Sequence, residues 1–190
     1  MRENHLSQSA AIESDDGEGE NQDALQLSWL AQVAMINLRG NAEDLAFCAG
    51  VETALGLSLP VVSCTFKQNH AFKIIWVGPD DWFVMSQTHA ATEICARLHA
   101  GLLGILSAVT DVSSGYGVIR LCGLRARQAL AQGCPLDLHP RVFKPGQSAG
   151  SVFYKASVWL WQTQHTPVFE MLVRRSFKTY VWDLMLRAKP

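Results

Sequence analysis

The sequence predicts an α+β fold, and three observations carry that expectation. Short apolar runs rich in β-branched side chains alternate with stretches whose apolar residues recur at helical spacing. Glycine, proline and Asn/Asp punctuate the boundaries between them. One stretch, Ala108 to Pro140, spells out a complete strand-turn-helix-loop unit. In it Tyr116 to Cys122 (YGVIRLC) has Arg120 as its only charge and reads as a largely buried strand. Gly123 frees the chain to turn. From Leu124, LRARQALAQ is made of helix formers, with Leu124, Ala126, Ala129 and Leu130 offered to a core and Arg125, Arg127, Gln128 and Gln132 to water. Gly133 stands where a left-handed residue would close that helix, and Pro135 prevents its restart.

The remaining elements follow in order. Leu25 to Ala34 (LQLSWLAQVA) is apolar and ambiguous, a short helix leading into a strand being one reading. Ala34 to Leu38 is a strand closed by Arg39-Gly40. Asn41 followed three residues later by Asp44 resembles a capping box and opens a helix through Leu55, which Gly56 ends. Val61 to Phe66 reads as a short strand. Phe72 to Val77 and Trp82 to Met85 form a hairpin around the turn Gly78-Pro79-Asp80-Asp81. Thr88 then caps a helix that presents Ala91, Ile94, Cys95, Leu98 and Leu102. Asp137 to Gly150 is loop. Ser151 to Gln162 and Val168 to Arg174 are strands, and Ser176 caps a last helix burying Phe177, Tyr180, Val181 and Leu184. The order strand-helix-strand-strand-helix-strand is that of ferredoxin-like split β-α-β units. No internal repeat stands out.

Composition bounds the rest. A chain of 190 residues, 48% hydrophobic, has enough apolar material for a proper core, and one domain from 25 to 190 is the expectation. Residues 1–24 hold seven acids (Glu3, Glu13, Asp15, Asp16, Glu18, Glu20 and Asp23) against Arg2, so they read as a disordered acidic tail. The remaining residues carry ten acids and fifteen basic residues. No run approaches the roughly 18 apolar residues of a membrane span, and the N-terminus lacks a secretory pattern. Cys48, Cys64, Cys95, Cys122 and Cys134 form no C-x-x-C pair, which suits reduced thiols and a cytoplasmic location. Short arginine pairs and a sequence pI near 6.6 argue against a nucleic-acid surface.

Chemistry-bearing patterns are sparse. Cys95 and His99 lie four apart on one helix face as a metal pair would, yet zinc needs three or four ligands and no others are spaced to join them. Asp111, in T-D-V-S, could orient an amine or an amide; the commoner use of such a residue is to accept backbone N–H groups in a turn. Ser113-Ser114-Gly115-Tyr116-Gly117 lacks the third glycine and the following helix of a dinucleotide fingerprint. A P-loop and a G-x-S-x-G elbow are both missing. Cys134, past a helix C-terminus, faces the negative end of the dipole, which disfavours a thiolate. No catalytic, cofactor-binding or metal-binding residue is assigned on these grounds.

The motifs do point to a family. V-T-D-V-S (Val109 to Ser113), G-L-R-A-R (Gly123 to Arg127), G-C-P-L-D-L-H-P (Gly133 to Pro140) and F-K-P-G (Phe143 to Gly146) occur in order. They are flanked by I-N-L-R-G (Ile36 to Gly40), L-G-L-S-L-P (Leu55 to Pro60), W-V-G-P-D-D-W (Trp76 to Trp82) and V-R-R-S-F (Val173 to Phe177). Together they resemble the γ subunit of heterotetrameric sarcosine oxidase, over roughly Val33 to Leu186. That family is similar in turn to part of the folate-binding fold of the aminomethyltransferases. The resemblance implies a noncatalytic γ chain that packs with α, β and δ subunits. The implied complex oxidatively demethylates sarcosine to glycine, giving hydrogen peroxide with formaldehyde or methylenetetrahydrofolate. It also implies FAD, FMN, NAD, zinc and tetrahydrofolate held by the other subunits and none by this chain. Alternatives are the equivalent subunit of another N-methyl amino acid oxidase or dehydrogenase, or a stand-alone folate-binding protein of the aminomethyltransferase type. The latter's maintenance branch carries K-G-C-Y-x-G-Q-E, whereas Gly133-Cys134 here continues as Pro135-Leu136-Asp137.

Candidate partner contacts come from the aromatics. Six tryptophans are many for a chain of this length. In S-V-W-L-W-Q, Trp159 and Trp161 point to one side of a strand and Val158 and Leu160 to the other, so both faces need cover. Cover comes from this chain's own helices and loop, or from a partner subunit anchored on Trp159 and Trp161. Arg125 and Arg127 are the candidates for pairing with a partner's carboxylates.

Overall fold

The computed structural model describes residues 9–12 and 25–188. The disorder expected of the tail concerns residues that lie outside these, apart from 9–12. In chain order the strands and helices are β1 (Ser9–Ile12), β2 (Leu25–Trp29), β3 (Ala34–Gly40), α1 (Leu45–Leu55), β4 (Phe66–Gln68), β5 (Lys73–Gly78), β6 (Asp81–Ser86) and α2 (Ala91–Gly101). After them come β7 (Ser107–Asp111), β8 (Tyr116–Cys122), α3 (Ala126–Ala131), β9 (Ser148–Phe153), β10 (Ala156–Gln164), β11 (Val168–Arg174) and α4 (Lys178–Arg187). They group into two compact units. One holds Gln32–Tyr116 with Gly146–Ala149, and the other holds Gly117–Pro145 with the described residues before 32 and after 149. Among the described residues no helix is long and apolar enough to cross a membrane.

The unit built on Gln32–Tyr116 is a five-stranded antiparallel sheet in the order β4-β5-β6-β3-β7. Without β4, the order β5-β6-β3-β7 places the first strand between the third and fourth, which is the split β-α-β arrangement. The helices cover one face. Phe47, Val51, Leu55, Ile94 and Leu98 pack on Ile36, Leu38, Ile74, Trp82 and Val84. Gly50 and Gly101 allow α1 and α2 to approach: a Cβ on either would stand 2.4 or 2.6 Å from the other's carbonyl oxygen.

Helix starts depart from the sequence reading. Asp44, not Asn41, caps α1, its Oδ1 accepting the Ala46 N–H at 2.9 Å, because Asn41 is already engaged in its own turn with the Glu43 N–H. α2 starts after Ala90; Thr88 bonds to Ser86 and His89 instead of capping. Gly56 does end α1, at φ 62°. The hairpin forms as expected, with Trp76 opposite Trp82. The short strand expected at Val61 to Phe66 lies instead at Phe66–Gln68.

The other unit has a six-stranded sheet in the order β1-β2-β8-β11-β10-β9. Leu25 to Trp29 is strand, not the short helix that is one reading of this stretch. Its segment β2-β8-β11-β10 is again the split β-α-β order, but the strand that would come last in sequence, β2, comes first. That permutation hides the repeat from a linear reading.

Four further expectations change here. Ser151 to Gln162 is not one strand but β9 and β10, joined at Tyr154-Lys155, with Tyr154 at φ 51°. α3 starts at Ala126, which leaves Leu124 exposed, while Ala126, Ala129 and Leu130 are buried as expected. Gly133 is not left-handed; it is small because a Cβ there would sit 2.4 Å from the Tyr154 ring. α4 begins at Lys178 after a 3-10 turn at Arg175–Phe177, so Val181, Trp182 and Met185 face inward while Phe177 and Tyr180 stay 36% and 37% exposed.

Candidate functional site

The polar side chains of the motifs converge in two places, one in each unit. In the first, β3 lies beside the β5–β6 hairpin, so I-N-L-R-G meets G-P-D-D. Asn37 Nδ2 donates to Asp81 Oδ1 at 2.6 Å, Arg39 donates to Asp80 Oδ2 at 3.0 Å, and the Gly40 N–H reaches the Asp80 carbonyl. Gly40 must be small, since a Cβ would enter the Phe47 ring. The Trp82 indole N–H donates to the Pro60 carbonyl at 2.8 Å, which ties W-V-G-P-D-D-W to L-G-L-S-L-P.

V-T-D-V-S closes on the other side of β3. Asp111 Oδ1 accepts the Ser113 N–H at 2.9 Å and its hydroxyl at 2.5 Å. The Ser113 oxygen in turn accepts the Met35 N–H at 2.9 Å. These two bonds from Ser113 stabilise the Asp111 carboxylate and hold its pKa below the ordinary value. Asp111 is therefore a turn anchor.

In the second unit Arg127 is the hub. Its guanidinium donates to the Leu138 carbonyl and, at 3.1 Å, to Gln162 Oε1, and it lies 5.1 Å from the centre of the Phe169 ring. Gln162 passes the connection on by donating to the Gln164 carbonyl at 2.7 Å. G-L-R-A-R and G-C-P-L-D-L-H-P are thereby joined to β10, and F-K-P-G is joined to β11 by Phe143 stacking on Phe169 at 6.2 Å. Burial pushes the Arg127 pKa below its ordinary value, as expected of a cation partly withdrawn from water.

The four candidate partner residues separate. Trp161 is fully buried within this chain and donates to Glu170 Oε2 at 2.7 Å. Trp159 is half-buried over Gly150, where a Cβ would stand 2.5 Å from the ring. Arg127 is engaged as above, and Arg125 is half-buried at the start of α3. Val158 and Leu160, on the other side of β10, are buried as well. The sequence reading overlooked Gln162 and Glu170. Their signal was available: a polar residue inside an apolar strand needs a partner when buried.

Cys95 and His99 do not converge with further ligands. His99 is exposed, and burial, then the Asp111 charge, push the Cys95 thiol pKa up. Burial and the Asp44 charge do the same at Cys48. Among the described residues no group of three or more His, Cys, Asp or Glu is placed to hold a metal ion.

A family model, sarcosine oxidase, gamma subunit family, matches residues 39–189. The chain belongs to that family. The heterotetrameric sarcosine oxidase from Corynebacterium sp. U-96, solved in complex with pyrrole 2-carboxylate, matches with a TM-score of 0.81 at 25% identity. The match covers 88% of this chain and 84% of that chain. Aminomethyltransferase T of the glycine cleavage system from Bartonella henselae matches with a TM-score of 0.59 at 15% identity, over 83% of this chain and 44% of that one. The second likeness is one of fold. The comparison with curated proteins finds no match. In this member of the sarcosine oxidase gamma subunit family, then, Asn37, Arg39, Asp80, Asp81, Asp111, Ser113 and Arg127 hold the chain's own turns and strands together.

Proposed function

We propose that this chain is the noncatalytic γ subunit of a heterotetrameric sarcosine oxidase. The match to the gamma subunit family over residues 39–189 carries the reading. Two things support it further: the likeness to a chain of a heterotetrameric sarcosine oxidase, and the internal use of Asn37, Arg39, Asp80, Asp81, Asp111 and Arg127. In this proposal the chain packs with α, β and δ subunits in the cytoplasm. Those subunits bind FAD, FMN, NAD, zinc and tetrahydrofolate, and they demethylate sarcosine to glycine, with hydrogen peroxide and formaldehyde or methylenetetrahydrofolate as the other products. The chain's part is to complete the fold and surface of the assembly.

Expression of the full chain together with the companion subunits tests this. The expected result is one large flavin-coloured complex that turns over sarcosine, with no turnover by the isolated chain. A colourless monomer that binds tetrahydrofolate tightly by itself would replace the subunit reading with the stand-alone folate binder. A complex that oxidises another N-methylated amino acid and leaves sarcosine untouched would assign the chain to the related oxidase or dehydrogenase.

A further inference from the structure

The sheet of the Gln32–Tyr116 unit treats its two edges differently. At one edge the chain covers itself. Beside β4, Gln147 bridges Thr65, the Phe66 N–H reaches the Gly146 carbonyl at 3.1 Å, and the Ser148 N–H reaches the Cys64 carbonyl at 2.8 Å. The opposite edge is β7, Ser107–Asp111, which ends the sheet. The Val112 N–H bonds to the Met35 carbonyl at 2.9 Å, so by alternation Thr110 and Ala108 bond toward β3 while Ser107, Val109 and Asp111 turn their backbone groups outward.

Edge strands are ordinarily blunted by proline, lysine, a bulge or a covering segment. Among the described residues β7 has none of these. Just before it in the chain come two of the most exposed leucines among the described residues, Leu103 at 87% and Leu106 at 95%. Asp111 closes the strand as an exposed carboxylate whose described partner is Ser113, and no basic side chain among the described residues forms an ion pair with it.

We propose that the open edge of β7, together with Leu103 and Leu106 just before it in the chain, receives an extended apolar segment of a companion subunit that sets a basic side chain opposite Asp111. This rests on the subunit reading above and specifies the surface used. Strand addition supplies the main-chain hydrogen bonds, the leucines supply apolar contact, and the charge pair sets the register. A second copy of this chain fits less well. Pairing S-A-V-T-D antiparallel with itself about Val109 brings Ser107, not a cation, opposite Asp111.

The test uses the full chain and the companion subunits. The double variant Leu103→Asp/Leu106→Asp changes only highly exposed side chains. Val109→Pro removes an outward N–H without breaking the ladder to β3. Each is expected to weaken assembly about tenfold or more, while Val142→Asp, an exposed apolar site in the other unit, leaves it unchanged. The leucine variant should keep the thermal unfolding profile of the unaltered chain, so it decides the matter if the proline variant folds poorly. Normal assembly by both edge variants overturns the edge proposal and leaves the subunit reading standing. Failure of the unaltered chain to assemble overturns both. Dimers of the isolated chain that Leu106→Asp disperses assign the edge to a second copy and overturn the proposed companion strand.

Discussion

Trp161 and Glu170 face each other across β10 and β11 as directly paired residues, and the indole N–H of one donates to the carboxyl of the other at 2.7 Å. Both are buried, in strands whose neighbours are apolar. The bond satisfies two polar groups that would otherwise be costly in that setting. It also accounts for a tryptophan that looks from sequence like an interface anchor yet lies inside its own chain.

Trp161→Phe should therefore lower unfolding stability by about 2 kcal/mol or more, combining a lost buried hydrogen bond with a partly emptied ring site. Glu170→Gln keeps an acceptor for the indole and should cost less, about 1 kcal/mol. Denaturant titration of the two variants checks the order. Equal midpoints for Trp161→Phe and the unaltered chain would show that the pair contributes nothing.

The two arginines of G-L-R-A-R should behave differently. Arg127→Ala leaves the Leu138 carbonyl and Gln162 without their donor and should cost about 2–4 kcal/mol. Arg127→Lys retains charge but loses the planar fork and the face over Phe169, so it should recover less than half of that loss. Arg125→Ala should stay within about 0.5 kcal/mol. Thermal melts of the three variants measure this, and similar losses at 125 and 127 would contradict the geometry.

Asp111 predicts a pH dependence. Its folded pKa is depressed by the bonds from Ser113, so the stabilisation is full above the unfolded value of about 3.9 and is lost as pH falls through the folded value. The melting-temperature gap between the unaltered chain and Ser113→Ala should be constant from neutral pH down to about 5 and should narrow below about 4. It should not vanish, because Ser113 also accepts the Met35 N–H. A gap that widens on acidification would invert the assignment.

The split β-α-β order was visible in the sequence, but its second occurrence was not, because β2 precedes the rest of its unit by some ninety residues (Trp29 to Tyr116). Strand pairing over such a distance leaves no local periodicity. The turn at Tyr154-Lys155 escaped for a different reason. Neither residue is a turn former by type, and the left-handed Tyr154 lies where β9 folds back onto β10.

What the sequence by itself determined is local: the bounds of β8 and β11, the hairpin around Pro79-Asp80, the Gly56 stop and the buried stripe of α2. Each depends on side-chain period or on the φ preference of one residue, and both are short-range. Only the tertiary structure decided that Asn37 and Arg39 hold Asp80 and Asp81, that Arg127 reaches Leu138 and Gln162, and that Trp161 is core. A polar side chain's partner is set by which strands become neighbours, and that choice is made by burial of the whole sheet.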